Sequence, residues 1–284
     1  MKKFAALALL PILAVGVAQA RDTSHGHADE ATIAAQNAAL DKNTDGKGFG
    51  PQSPRDLALK RGSNQRAFST APAYTQMNLC NIHFHKNAEH KGGEFTTYAG
   101  PGDGHGYESG YKYSGKLSAA EAKPLDADVC KSEHGGLQAG DTIEIHYVHS
   151  TAQVVPGATL GACLSETDTN PQLRVEAQVF VLVNDAKAAD FQALTQVGQV
   201  NGYHQALNIP KNTGTPIQYA GSTTGPAYNE KGSPLQVSWS VRPRVIKVNA
   251  ASVGQWCQGN AFKEDHAHGV RNLVINEKLL SPIK

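Results

Sequence analysis

The chain has 284 residues, 40% of them apolar, 18% charged and 7% aromatic, which is enough to bury a substantial core and excludes a disordered chain or a small disulfide-stapled scaffold. Lys and Arg total 26 against 25 Asp and Glu, a balance that gives no electrostatic case for nucleic acid or an anionic membrane as the partner. The outlier is histidine, with 12 residues beside 4 cysteines and 2 methionines.

In chain order, the basic start Met1-Lys2-Lys3, the apolar run Phe4 to Val17 and the small-x-small Ala18-Gln19-Ala20 predict a signal peptide over residues 1–20, cleaved before Arg21. The apolar run is too short for a membrane anchor, and no later stretch is long and apolar enough to insert stably in a bilayer. The expected location is therefore periplasmic or secreted. In such a compartment Cys80, Cys130, Cys163 and Cys257 form two disulfides, and three pairings are open. Residues 21–47 read as a polar extension with a short helix-like run near Glu30 to Leu40. Its Asp41-x-Asn43-x-Asp45-Gly46 imitates the start of a calcium loop, but Gln52 stands where the bidentate Glu is needed.

From residue 70 onward, apolar alternations at 79–85, 143–149, 173–183 and 235–248 lie between Gly, Pro, Asn and Ser clusters and predict strands. Helical patterns are confined to segments near Ala119–Ala122 and Ala186–Gln196. One β-dominated domain over 48–284 follows. The glycine-rich Gly100 to Gly106 lacks the G-x-G-x-x-G spacing and reads as a surface loop.

The strand Asn81-Ile82-His83-Phe84-His85 places 81, 83 and 85 on one face and Cys80, Ile82 and Phe84 on the other. Side chains two apart on a strand stand about 7 Å apart at the backbone, close enough to converge on one divalent ion. A second alternation, Ile143-Glu144-Ile145-His146-Tyr147-Val148-His149, puts Glu144, His146 and Val148 on one face and supplies a third imidazole. Three histidines with an open fourth position form a catalytic zinc arrangement, and Asn81 and Glu144 are placed to orient the rings through their other nitrogens.

Asn81-Ile82-His83-Phe84-His85, Ala88-Glu89-His90 and Glu144-Ile145-His146-Tyr147-Val148-His149 resemble the zinc site of carbonic anhydrases. The H-x-H and E-x-H-x-x-H pair is similar to the alpha class, and the uninterrupted string from Asn81 to His90 resembles the delta class. Gly50-Pro51-Gln52-Ser53-Pro54-Arg55-Asp56-Leu57 resembles an alpha-class Gln-Ser-Pro-x-Asp-Ile stretch. Gly221-Ser222-Thr223-Thr224-Gly225-Pro226, followed by Val237-Ser238-Trp239, resembles the Gly-Ser-Leu-Thr-Thr-Pro-Pro and Val-x-Trp segments.

The resemblance implies a mainly β single domain around a large twisted, mostly antiparallel sheet with a few short helices. It also implies Zn2+ as the cofactor and reversible hydration of CO2 to bicarbonate and a proton. It makes His83, His85 and His146 the ligands, with Asn81, Glu144 and His90 behind them. Thr224 and Glu89 become the hydroxyl and carboxylate that orient the reacting oxygen, and Val148, Val237 and Trp239 line the CO2 pocket. Thr223 is the alternative register for Thr224, and H-x-H-x4-H would make His90 the third ligand instead. Only 28 residues separate Gln52 from Asn81, fewer than the alpha class carries there. No proton-shuttle histidine is assigned, and His105, His134 and His149 read as plain surface or core residues. Glu176 stands where an apolar pocket wall is expected.

Two other functions fit part of the pattern. His83-x-His85-x3-Glu89 matches the centre of a cupin motif, but Met77 and Thr96 occupy the places of its glycines. His25-Gly26-His27 and His266-Ala267-His268 would suit a zinc-storage protein, and otherwise read as polar tails. The oligomeric state is left open, a dimer being one option.

Overall fold

The computed structural model describes residues 28–283, so the expected signal peptide and the His25-Gly26-His27 pair lie outside the described residues. Helix α1 (Glu30–Thr44) precedes strand β1 (Asn78–Lys86), which is followed by two small ribbons. These pair β2 (Thr97–Tyr98) with β3 (Tyr111–Lys112) and β4 (Val129–Ser132) with β5 (Gly135–Leu137). The long strands β6 (Thr142–Ser150) and β7 (Leu173–Val183) come next, then helix α2 (Phe191–Leu194) and a ribbon of β8 (Val197–Val200) and β9 (Tyr203–Ala206). Strands β10 (Ile217–Ser222), β11 (Gln236–Val241) and β12 (Ile246–Asn249) lead into helix α3 (Ala250–Cys257).

Six strands form one mixed sheet in the order β1-β6-β7-β11-β10, with β12 also on β7. Pairing is antiparallel for β1/β6, β6/β7 and β10/β11, and parallel for β7 with both β11 and β12. The central β7 is long enough to serve two partners in succession. Leu173 to Ala177 pair with β11, and Phe180 to Val183 pair with β12. The single alternation expected over 235–248 is split between these two strands, and Pro243, which has no N–H to donate, lies in the break.

The sheet has two buried faces. Leu79, Ile82, Phe84, Ile143, Ile145, Tyr147 and Phe180 pack on one, under α2 and α3. Cys80, Val148, Val175, Val237 and Trp239 belong to the other, which carries the histidines. Cys80 thus departs from strict alternation with Ile82 and Phe84. A bulge between Leu79 and Asn81 inserts one extra residue and turns Cys80 toward the histidine face, where it bonds Cys163. The second disulfide, Cys130–Cys257, ties α3 to β4.

Helix α1 is capped by Asp29, whose side chain accepts from Thr32 N. The helix continues through Asp41 and Asn43, so the calcium-like run has no loop on which to converge its oxygens. Leu40, in the segment read as an extension, is buried against Val274, Leu279 and Leu280. The Ala119–Ala122 segment forms turns rather than a helix. Near Ala186–Gln196 only Phe191–Leu194 is helical, capped by Asp190. Helix α3 was not signalled by its sequence pattern. Near the C-terminus the chain runs beside β1: His268 N donates to Phe84 O at 2.9 Å and Lys86 N to His268 O at 3.0 Å. Among the described residues no helix is long and apolar enough to cross a membrane.

Candidate metal centre

The antiparallel register of β1 and β6 sets His83 directly opposite His146, and His85 opposite Glu144. Strand alternation on β1 and register across β1/β6 therefore bring three imidazoles to one spot. One ring nitrogen from each of His83, His85 and His146 lies within 4.8 Å of the others. The outer nitrogens are occupied. His83 Nδ1 donates to Asn81 Oδ1 at 2.7 Å, His85 Nδ1 to the carbonyl of Gly269 at 2.7 Å, and His146 Nε2 to Glu144 Oε1 at 3.1 Å. These acceptors fix the tautomers and leave Nε2, Nε2 and Nδ1 as inward lone pairs.

His85 Nε2 is buried with no partner among the described residues, a costly state for a polar atom unless something coordinates it. Burial lowers the His85 pKa to about 4 against the pull of Glu89. Burial, and then the charge that His146 would carry, hold His83 well below its ordinary value. Both rings are neutral at physiological pH, the state a metal ligand requires. Three imidazole nitrogens with an open side fit zinc.

His90 offers no free nitrogen. Its Nδ1 donates to Glu144 Oε1 at 2.6 Å, and its Nε2 lies 2.7 Å from the hydroxyl of Tyr219, which in turn meets Ser53 Oγ at 2.5 Å. Ser53, Tyr219, His90 and Glu144 thus form a buried chain that ends on His146. Glu89 is 1% exposed. Its Oε2 accepts from Thr224 Oγ1 at 2.5 Å and from Arg55 Nη1 at 3.2 Å. Burial pushes this carboxyl up, but Arg55, with His85 and His146, holds it well below the usual carboxylate range. Thr223, the alternative register, instead pairs with Ser233 Oγ at 2.9 Å.

The triad opens onto a hollow of about 50 Å3 lined by Val148, Val175, Val237, Trp239, Leu160 and Leu173 beside Thr223 and Thr224. Glu176 takes no part in it. Val175 is opposite Val148 on the site face, and Glu176, one residue on, is opposite Tyr147 on the other face, where it pairs with Arg242 at 3.0 Å. His149 is likewise buried on the far side of β6, and His134 stacks on Tyr107. His268 does reach the site: its ring lies 5.5 Å from that of His83 and 5.8 Å from that of His85. Its Nε2 meets Glu264 Oε2 at 2.6 Å, a contact that raises its pKa. This placement has no local signal, because residues 263–275 lack the periodicity that would dock them on β1. Arg55, Gly269 and Arg271 likewise lie in irregular chain, and Tyr219 lies on β10, a strand not among the predicted alternations.

The chain thus brings three inward imidazoles, a Thr–Glu pair and a small apolar hollow together on one face of an open mixed sheet. It belongs to the delta carbonic anhydrase family, whose model matches residues 74–252. No curated protein sequence matches significantly. Among similar solved structures is a hyperthermostable carbonic anhydrase identified from an active hydrothermal vent chimney, 14% identical, covering 81% of this chain and 86% of that one with a TM-score of 0.26. The alpha-carbonic anhydrase of Thermovibrio ammonificans, in complex with sulfanilamide, is 12% identical over 70% of this chain and 84% of that one, with a TM-score of 0.24. That of Photobacterium profundum is 15% identical over 80% and 88%, with a TM-score of 0.26.

Proposed function

We propose that the chain holds one zinc ion through His83 Nε2, His85 Nε2 and His146 Nδ1 and reversibly hydrates CO2 to bicarbonate and a proton. The observation that carries this reading is the set of three imidazoles, each with its outer nitrogen engaged and its inner one aimed at a common point, beside an apolar hollow. Zinc at that point would supply the Lewis acidity that makes water a nucleophile at neutral pH.

The protein's own groups orient and exclude. Thr224 gives its hydroxyl proton to Glu89, so its oxygen keeps only acceptor capacity and receives a hydrogen bond from the attacking water, turning a lone pair toward the carbon. Val148, Val237 and Trp239, with Val175, present carbon surface to CO2. The Trp239 N–H is occupied by Ser222 O at 3.2 Å and does not compete for substrate oxygens. Asn81 and Glu144 hold two rings in place, and His90 secures Glu144 from behind.

The two disulfides favour an oxidising compartment, in line with export directed by residues 1–20. The test is stopped-flow CO2 hydration by the protein lacking residues 1–20, with zinc quantified on the same sample, beside His146→Ala. About one zinc per chain and rapid hydration, both lost in His146→Ala, are expected. Bound zinc without hydration above buffer would overturn the catalytic reading in favour of a zinc-binding protein on this scaffold.

A further inference from the structure

We propose that Arg55 is a positioning residue of this centre: its guanidinium anchors the Glu89 carboxylate and, through it, fixes where the Thr224 hydroxyl points. The kinetic part of the inference rests on the hydration reading above. Arg55 occupies the unspecified place in the Gln-Ser-Pro-x-Asp-Ile pattern, so the resemblance assigns it no role.

Both side chains of the pair are fully buried, with Arg55 Nη1 at 3.2 Å from Glu89 Oε2. That oxygen is the one that accepts from Thr224. The other, Oε1, has among the described residues one long hydrogen bond, 3.5 Å from Arg271 N, and His85 Nδ1, which is committed to Gly269 O, stands 3.8 Å away. The carboxylate's placement is therefore decided chiefly by two donors on one oxygen, one of which is the hydroxyl to be oriented. The remaining donor, Arg55, must supply the fixed point.

The backbone is arranged to hold it there. Arg55 has φ +48°, the left-handed region that a side-chain-bearing residue adopts only when its surroundings enforce it. Lys91 N donates to Arg55 O at 2.7 Å and Leu57 N to Lys91 O at 2.8 Å. The turn carrying Arg55 is thus fastened to the chain two residues after Glu89, which ties together the backbones that carry guanidinium and carboxylate. Arg55 Nε and Nη2 are buried without a partner among the described residues. A buried cation, a left-handed backbone and unpartnered donors are all unfavourable, and an apolar residue would fill the same space at lower cost. What the arrangement secures in return is a carboxylate that cannot turn away from Thr224. Arginine suits the task better than lysine, because its planar head has fewer ways to reorient.

The experiment compares wild type, Arg55→Gln and Arg55→Lys by zinc content, by steady-state kcat and KM for CO2 hydration, and by crystal structures of the zinc-free proteins. Arg55→Gln is expected to retain zinc, lose about 10- to 100-fold in kcat with KM little changed, and show Thr224 Oγ1 and Glu89 Oε2 beyond hydrogen-bonding distance. Arg55→Lys is expected to recover part of the loss, and its structure and kcat carry the test alone if Arg55→Gln does not fold. Wild-type kcat in the folded variants, or a Thr224–Glu89 contact unchanged in their zinc-free structures, would overturn the proposal. If wild type itself fails to hydrate CO2, the hydratase reading falls, and the zinc-free structures still decide whether Arg55 holds Glu89.

Discussion

Acid should destabilise this protein through a histidine that has nothing to do with the metal. His149 is 0% exposed, its Nδ1 is 3.0 Å from Tyr147 O and its Nε2 has no partner among the described residues. Burial is the main reason its pKa falls to about 3, and the nearby Arg174 and Arg242 act in the same direction. In the unfolded chain the ring titrates near its ordinary 6.5. Below that pH the unfolded state binds a proton that the folded state refuses, so stability is complete above pH 6.5 and is lost as pH falls toward 3. By pH 4.5 the loss is about 3 kcal/mol, and by pH 3 it approaches about 5 kcal/mol. His149→Phe keeps a ring against Tyr74 and removes the titration. Urea unfolding of the zinc-free proteins at pH 7 and pH 4.5 isolates the effect, because every other group titrates equally in both. The wild-type midpoint should fall by roughly 1 to 3 M more than that of the variant. Equal falls in the two proteins would refute the reasoning.

Two further outcomes follow from the site and its supports. Thr224→Val should keep zinc and lose about 100-fold in kcat/KM, measured by stopped flow with metal analysis, since it removes an orienting oxygen and no ligand; an unchanged rate would exclude Thr224 from the chemistry. The Cys80–Cys163 bond closes 83 residues, for which chain entropy gives about 4 to 5 kcal/mol. Cys80→Ala with Cys163→Ala should therefore lower the urea midpoint and loosen the Leu160 side of the hollow, raising KM for CO2; a midpoint equal to wild type would contradict this.

How much of this was legible beforehand depended on distance along the chain. The alternation from Asn81 to His85 and from Glu144 to Val148 reveals which side chains share a face, because a strand's period of two is a local property. That His83 stands across from His146 is a matter of register between strands some sixty residues apart. The family resemblance put the three histidines in one site without that register, and periodicity alone could not supply it. The same limit explains the misplacement of Cys80, since a bulge adds one residue without any compositional mark. It also explains Glu176, whose side of the sheet depends on the register of β7 against β6. The disulfide pairing stayed open for want of any such distance information. Irregular segments were the least readable: Arg55 sits in a turn, and His268, Gly269 and Arg271 lie in extended chain with no repeating pattern.

The strip of chain at 268–271 that lies along β1 sets an order of events. His83, His85 and His146 all leave the ribosome well before Gly269, whose carbonyl holds His85, and before Arg271, whose N–H meets Glu89. A nascent chain that has made all three histidines still lacks the groups that aim one of them and help steady the carboxylate behind. Such a chain holds three histidines but not yet this centre. An ion taken up before that point would meet a loosely directed His85, and the groups that aim this ring are complete only once the chain has reached Gly269.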